Sequence, residues 1–216
     1  MATLAQIRSR VSRKIEDPNN TAVSASVVNE EINRAVRYYS KYRFFFNEDM
    51  ASITLTANSQ IIPSIPADLL SPFTVNEIMI IDSQVRVTLQ RLDPISFFNR
   101  DQDQTGRPYF YTYRDGQFLV LPTPDQAYLC RFRYLKKYAA LSADGDTNDF
   151  TDNAEDLLML YAVCNLYSED KQDPATGMSY RDSLKKEFDN LTMQSNAFNA
   201  SGYISNDSIL NCNYYY

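Results

Sequence analysis

The sequence predicts an α+β fold: a bundle of about four helices, an inserted antiparallel β-sheet domain, and an extended C-terminal arm. Three observations carry this. Apolar residues recur at helical spacing near both ends of the chain, alternate with period 2 through its middle, and lose periodicity in the asparagine-rich stretch that starts at Asn196. The expected boundaries are 1–48 with 149–199 for a discontinuous bundle, 49–141 for the insertion and 200–216 for the arm. A chain of 216 residues is long enough for one sizeable core or two modest ones.

The first helix follows Leu4, Ile7, Val11 and Ile15 and stops before Asp17-Pro18, because proline disfavours helical geometry in the residue ahead of it. After the turn DPNNTAV, Ser24 is placed to cap a second helix along Val28, Ile32, Ala35/Val36 and Tyr39. That helix runs out into Tyr38, Tyr39, Tyr42, Phe44, Phe45 and Phe46. Ile53, Leu55 and Ala57 then alternate with polar residues as a half-buried strand, with a turn expected at Ser59-Gln60. The prolines of IIPSIPADLL exclude a central strand there, and VNEIMIID with QVRVTLQRL reads as a hairpin about Asp82-Ser83. Leu92-Asp93-Pro94 to Arg100 fits one or two helical turns. Asp115-Gly116 marks a second hairpin, and Tyr128, Cys130, Phe132 and Tyr134 form one face of a long strand. Helical spacing resumes at Asp149. Leu157, Leu160, Tyr161, Cys164 and Tyr167/Ser168, widened by Leu158 and Met159, predict a helix buried on more than one side. Asp173-Pro174 opens a last helix along Tyr180, Leu184, Phe188 or Glu187, and Leu191. Helices need partners for their apolar stripes, so the simplest arrangement packs all four together around an insertion.

Composition removes most chemistries. There is no histidine, which excludes Ser-His-Asp, Cys-His and HExxH sites. Cys130, Cys164 and Cys212 are odd in number and lack CxxC spacing, so neither a zinc knuckle nor a disulfide framework is expected, and a reducing compartment fits. No Walker loop, GxGxxG or GxSxG occurs, and the five glycines are dispersed. No signal-length or membrane-length apolar run appears, so neither secretion nor a membrane span is expected. Lysine and arginine number 21 against 27 aspartate and glutamate, a net charge of −6 that disfavours gripping nucleic acid. No enzyme activity, cofactor or metal is expected.

Three stretches invite a sharper reading. In DGDTNDFTDNAE, Asp144, Asp146, Asn148, Asp152 and Glu155 fall at the oxygen positions of an EF-hand loop, but Asp149 stands where the turn needs glycine. The residues preceding it read as strand and turn, so an acidic solvated loop is the expectation. The cluster Arg8, Arg10, Arg13 and Lys14, and the run Arg34, Arg37, Lys41 and Arg43, read as solvated helix faces. With the 16 tyrosines they also frame an alternative, a soluble nucleic-acid-binding module using basic helices and tyrosines. A metal-dependent hydrolase built on the Asp144–Glu155 acids ranks below both.

The order of pieces carries more than any one of them. A short helix, DPNN, a capped helix containing Asn33-Arg34-Ala35, FFF, ASITLTANSQ, IPADLL, LQRLDP, TGRPYFYTYRDGQFLVLPTPDQAYLCRFRYLKK and an acidic loop into two helices succeed one another from about Leu4 to about Leu191. This succession resembles the head-to-tail adaptor proteins of tailed bacteriophages. The resemblance implies a structural virion protein of the neck, assembled in the host cytoplasm as a ring, typically of twelve copies. Its implied partners are the portal protein, a downstream nozzle or tail-tube protein, neighbouring copies and double-stranded DNA in transit, with no membrane. The arm is implied to dock on the portal. Expected contact residues are Tyr203, Ile204, Ile209, Leu210, Tyr214, Tyr215 and Tyr216 in the arm, and Arg8, Arg10 and Arg13 on the first helix. A lumen without strong positive charge would let DNA slide.

Overall fold

The computed structural model describes residues 1–83, 85–171 and 173–199. In chain order the elements are α1 (Leu4–Lys14), α2 (Ala25–Tyr39), β1 (Glu48–Thr54), β2 (Val75–Asp82), β3 (Val85–Thr88), β4 (Gln90–Arg91), α3 (Pro94–Phe98), β5 (Phe110–Arg114), β6 (Gln117–Leu121), β7 (Leu129–Leu135), α4 (Asp149–Asn153), α5 (Glu155–Glu169) and α6 (Pro174–Asn199). They fall into two compact units. One comprises Met1–Asn47 and the chain from Tyr138 onward; the other is Glu48–Lys137.

In the helical unit α5 is the hub, packing on α1, α2 and α6, while α1 also packs on α2. The sequence explains why. Leu157, Leu158, Ala162, Val163 and Leu166 are fully buried and point around the helix rather than along one stripe, so α5 must be surrounded. Each such large side chain contributes about 1.5–3 kcal/mol on leaving water. The start of α1 is closed by a Thr3–Gln6 capping box. Its next amides are taken up by the acidic loop: Leu4 N–H donates to Asp146 O (3.0 Å) and Ala5 N–H to Asp144 O (3.1 Å). Between α1 and α2 the Asp17 carboxylate gathers the turn, accepting from the amides of Thr21 (2.8 Å), Ala22 (2.9 Å) and Val23 (2.8 Å). Ser24 then caps α2 as expected. The helical stretch of α6 continues beyond Leu191 to Asn199, four residues into the stretch expected to be irregular from Asn196. Contacts distant in sequence hold this extension, since Phe45 N–H donates to Ser195 Oγ (3.2 Å) and the Phe45 and Phe198 rings lie 5.7 Å apart.

The inserted unit departs from a single antiparallel sheet. A four-stranded antiparallel sheet in the order β1-β7-β2-β3 is joined by a three-stranded sheet, β4-β5-β6, in which β4 and β5 run parallel. The split occurs inside QVRVTLQRL. Buried Leu89 still donates to Ile78 O of β2 (2.8 Å), whereas Gln90 and Leu92 donate to Tyr109 and Tyr111 of the other sheet (2.8 and 2.9 Å). One strand thus turns a corner and serves both sheets. Ile53, Ile78, Ile80, Cys130 and Phe132 from the first sheet share a core with Tyr111, Phe118 and Val120 from the second. Phe118 meets Phe132 edge-on at 5.4 Å.

Local details follow side-chain chemistry. The Asp115-Gly116 hairpin pairs Arg114 with Gln117; its central φ angles are +52° and +82°, the type I′ geometry that matches strand twist. The turn after β1 sits at Ala57-Asn58 rather than Ser59-Gln60, because Asn58 takes the left-handed conformation (φ 58°) and donates to Pro124 O at 2.8 Å. Likewise Asp82 pairs opposite Val85, so the first hairpin turns one residue later than expected. The helical turn after Asp93 forms as α3, with the Asp93 carboxylate capping Ser96 N–H (2.9 Å).

Candidate functional site

Asp144, Asp146 and Glu155 of the EF-hand-like stretch are engaged by protein groups, whereas the buried Oδ1 of Asp152 has no hydrogen-bond partner among the described residues. Asp144 Oδ1 lies 2.9 Å from Arg8 Nη1. Asp146 Oδ2 accepts the amides of Ser142 (2.7 Å) and Ala143 (2.8 Å), bonds that hold its carboxyl below the usual range. Asn148 caps α4 by accepting from Phe150 and Thr151, each at 3.0 Å. Glu155 and Asp156 open α5, where carboxylates favour the helix dipole, and clasp Arg10 at 2.8 and 2.6 Å. Among the described residues no group of three His, Cys, Asp or Glu side chains is arranged to hold a metal ion.

The same contacts decide the character of α1. Arg8, which also donates to Asn29 Oδ1 (3.4 Å), and Arg10 spend their charge on the acidic loop and the start of α5. Arg13 is exposed and donates to Ser9 Oγ (3.1 Å). On α2, Arg34 pairs with Glu31 (3.2 Å) and Glu169 (3.3 Å). The cations that suggested a nucleic-acid surface are thus partly neutralised within the fold. Burial pushes the Cys130 thiol up to about 12 and raises that of Cys164 as well, which disfavours the thiolate that a nucleophile needs.

A cleft of about 480 Å³ is formed by Tyr38, Tyr39, Tyr42, Tyr161, Leu184 and Phe188, with Arg181 and Lys185 beside them. The end of α2 supplies Tyr38 and Tyr39, the turn after it Tyr42, α5 Tyr161, and α6 the remainder. Tyr38 stands over Tyr161 at 5.5 Å and against Tyr39 at 5.0 Å, while Phe188 meets Tyr42 at 5.0 Å and Tyr39 at 5.8 Å. Tyr42 Oη donates to Tyr38 Oη at 3.4 Å. Burial, followed by the neighbouring phenols, raises Tyr39 far above the usual phenol range, so the floor stays neutral. Tyr38 and Tyr42 remain 44% and 41% exposed. The cleft offers aromatic faces and positive charge, the equipment for binding rather than for acid–base or nucleophilic chemistry. The sequence shows the tyrosines at the end of α2 but not their union with α5 and α6. The available signal was the Arg181/Lys185 pair, four residues apart and interleaved with Leu184 and Phe188.

Comparison with known families settles the class. A family model described as SU10 adaptor protein matches residues 2–204. The chain belongs to the SU10 adaptor family. This is a family of phage head-to-tail adaptors, and its members are structural proteins, not enzymes. No curated protein sequence matches the chain. The match runs through the helical unit, the inserted β-rich unit and the return to the helices. Among the described residues no helix of this SU10 adaptor is long and apolar enough to cross a membrane. Of the expected contact residues, Arg8, Arg10 and Arg13 lie on α1 as described. Tyr203, Ile204, Ile209, Leu210, Tyr214, Tyr215 and Tyr216 lie outside the described residues.

Proposed function

We propose that this SU10 adaptor forms a ring in the virion neck, typically of twelve copies, joining the portal protein to the next tail component and letting double-stranded DNA pass. The observation that carries the reading is a family match spanning nearly the whole chain, residues 2–204. The discontinuous bundle (1–48 with 149–199), the inserted β-rich domain (49–141) and the arm (200–216) serve as separate contact surfaces. The arm docks on the portal through Tyr203, Ile204, Ile209, Leu210 and Tyr214 to Tyr216, with Arg13 and the Arg8–Arg10 edge of α1 meeting the portal or a neighbouring copy. Tyrosine and arginine are enriched among the residues that dominate interface energetics. A net charge of −6, with Arg8 and Arg10 paired to carboxylates, supports an unobstructed lumen, because DNA is retained where protein cations displace its counterions.

Native mass spectrometry of the chain mixed with its cognate portal ring tests this reading. Saturation at one adaptor per portal subunit, lost when residues 200–216 are deleted, is the expected result. Absence of association with the full chain would overturn the portal assignment.

A further inference from the structure

We propose that the tyrosine cleft is a receptor for the C-terminal segment of the same chain, with Asp207 at Arg181 and Lys185 and with Ile209 and Leu210 laid on the aromatic rings. This goes beyond the adaptor role and concerns the free chain, with no portal present.

The cleft supplies the first half of the argument. Its volume, about 480 Å³, falls within the range of about 300–1,000 Å³ typical of small-ligand sites. Its aromatic surface stays partly open to solvent at Tyr38 and Tyr42. An open aromatic cleft flanked by two cations selects a short peptide that brings apolar side chains and a negative charge.

The segment after α6 has that composition. Residues 200–216 contain Tyr203, Ile204, Ile209, Leu210 and three consecutive tyrosines; Asp207 is their sole ionisable acid side chain, and no lysine or arginine occurs among them. Reach allows the chain to serve itself. Lys185 precedes the end of α6 at Asn199 by 14 residues, or about 21 Å at 1.5 Å per residue. The eight residues from Asn199 to Asp207 span up to about 26–29 Å when extended. A segment folding back beside α6 therefore brings Asp207 to the cation at the cleft, and Ile209 and Leu210, two and three residues on, to the rings. Tethering at this distance gives a local concentration on the order of millimolar, which favours the chain's own segment over that of a second copy.

Hydrogen exchange measured by mass spectrometry on the full-length chain tests the proposal. Amides of residues 204–212 should exchange at least about tenfold more slowly than an unstructured peptide. The double substitution R181E/K185E should remove that protection while leaving exchange in α5 unchanged, since both side chains are exposed on α6. Asp207→Lys, which alters no residue of the described fold, should remove it too, and combining it with R181E/K185E should restore it. Exchange of 204–212 at the unstructured rate in the wild-type chain would overturn the proposal, as would protection indifferent to both charge reversals. Protection that grows with protein concentration would overturn the own-chain assignment in favour of a second copy. None of these outcomes depends on whether the arm binds a portal.

Discussion

Asn33 is buried and holds both polar backbone groups of Leu141: its Nδ2 donates to Leu141 O at 2.9 Å and its Oδ1 accepts Leu141 N–H at 2.8 Å. Replacing it with alanine orphans two groups at a cost of about 1–3 kcal/mol each. Asn33→Ala should therefore lower stability by at least about 2 kcal/mol, a fall in Tm of about 4–8 °C for a chain of this size, read by thermal unfolding. The sequence displays Asn33 as part of a familiar tripeptide, but not its partner 108 positions away. No local pattern encodes that bond. Asp17 is a more local case. Its backbone hydrogen bonds, that from Val23 foremost, lower the carboxyl from 3.8 to about 2. A depressed folded-state value means a contribution present above pH 3.8 and lost as pH falls toward 2. Asp17→Asn should lower Tm at neutral pH and flatten the acid limb between pH 4 and 2, measured by a pH series of melting curves.

Among the elements, α5 was legible because an all-round apolar surface admits no exposed placement, and Ser24 because capping is local chemistry. The division of the β-rich unit into two sheets was not legible. Leu89 reads equally well as the continuation of one strand, and the change of partner that follows it at Gln90 and Leu92 depends on Tyr109 and Tyr111, which sequence spacing does not locate. The end of α6 escaped for a similar reason, its last turns being held by Phe45. Close packing of α5 and α6 also explains Gly177. A Cβ there would meet Ser168 Oγ at 2.6 Å and the Cys164 carbonyl at 3.1 Å. On an exposed helix, Gly→Ala gains about 1 kcal/mol; Gly177→Ala should instead destabilise the protein. Adding Ser168→Ala should recover part of the loss in a double-mutant cycle, leaving the carbonyl contact as the remainder.

At the scale of the whole molecule the described residues form two hydrophobic cores with no shared residue, one in each compact unit. Calorimetry should accordingly depart from a single two-state transition. Phe132→Ala, which empties a fully buried site in the β-rich core, should cost about 3–5 kcal/mol and lower the transition of that unit, with exchange protection in α5 unchanged. The succession of motifs made the adaptor family visible. The tyrosine cleft stayed hidden because it joins the end of α2 and the turn after it to α5 and α6, more than a hundred residues further along the chain. Glu48 and Leu135 are cross-strand partners on β1 and β7, about 5 Å apart, and Leu135 stands two residues before the end of the β-rich unit at Lys137, so the unit begins and ends close together. A segment with adjoining ends is a cassette: it can be exchanged for another of unrelated length, or joined head to tail, without asking its host to span a new gap. Variation in that unit therefore needs no redesign of the helices that carry it.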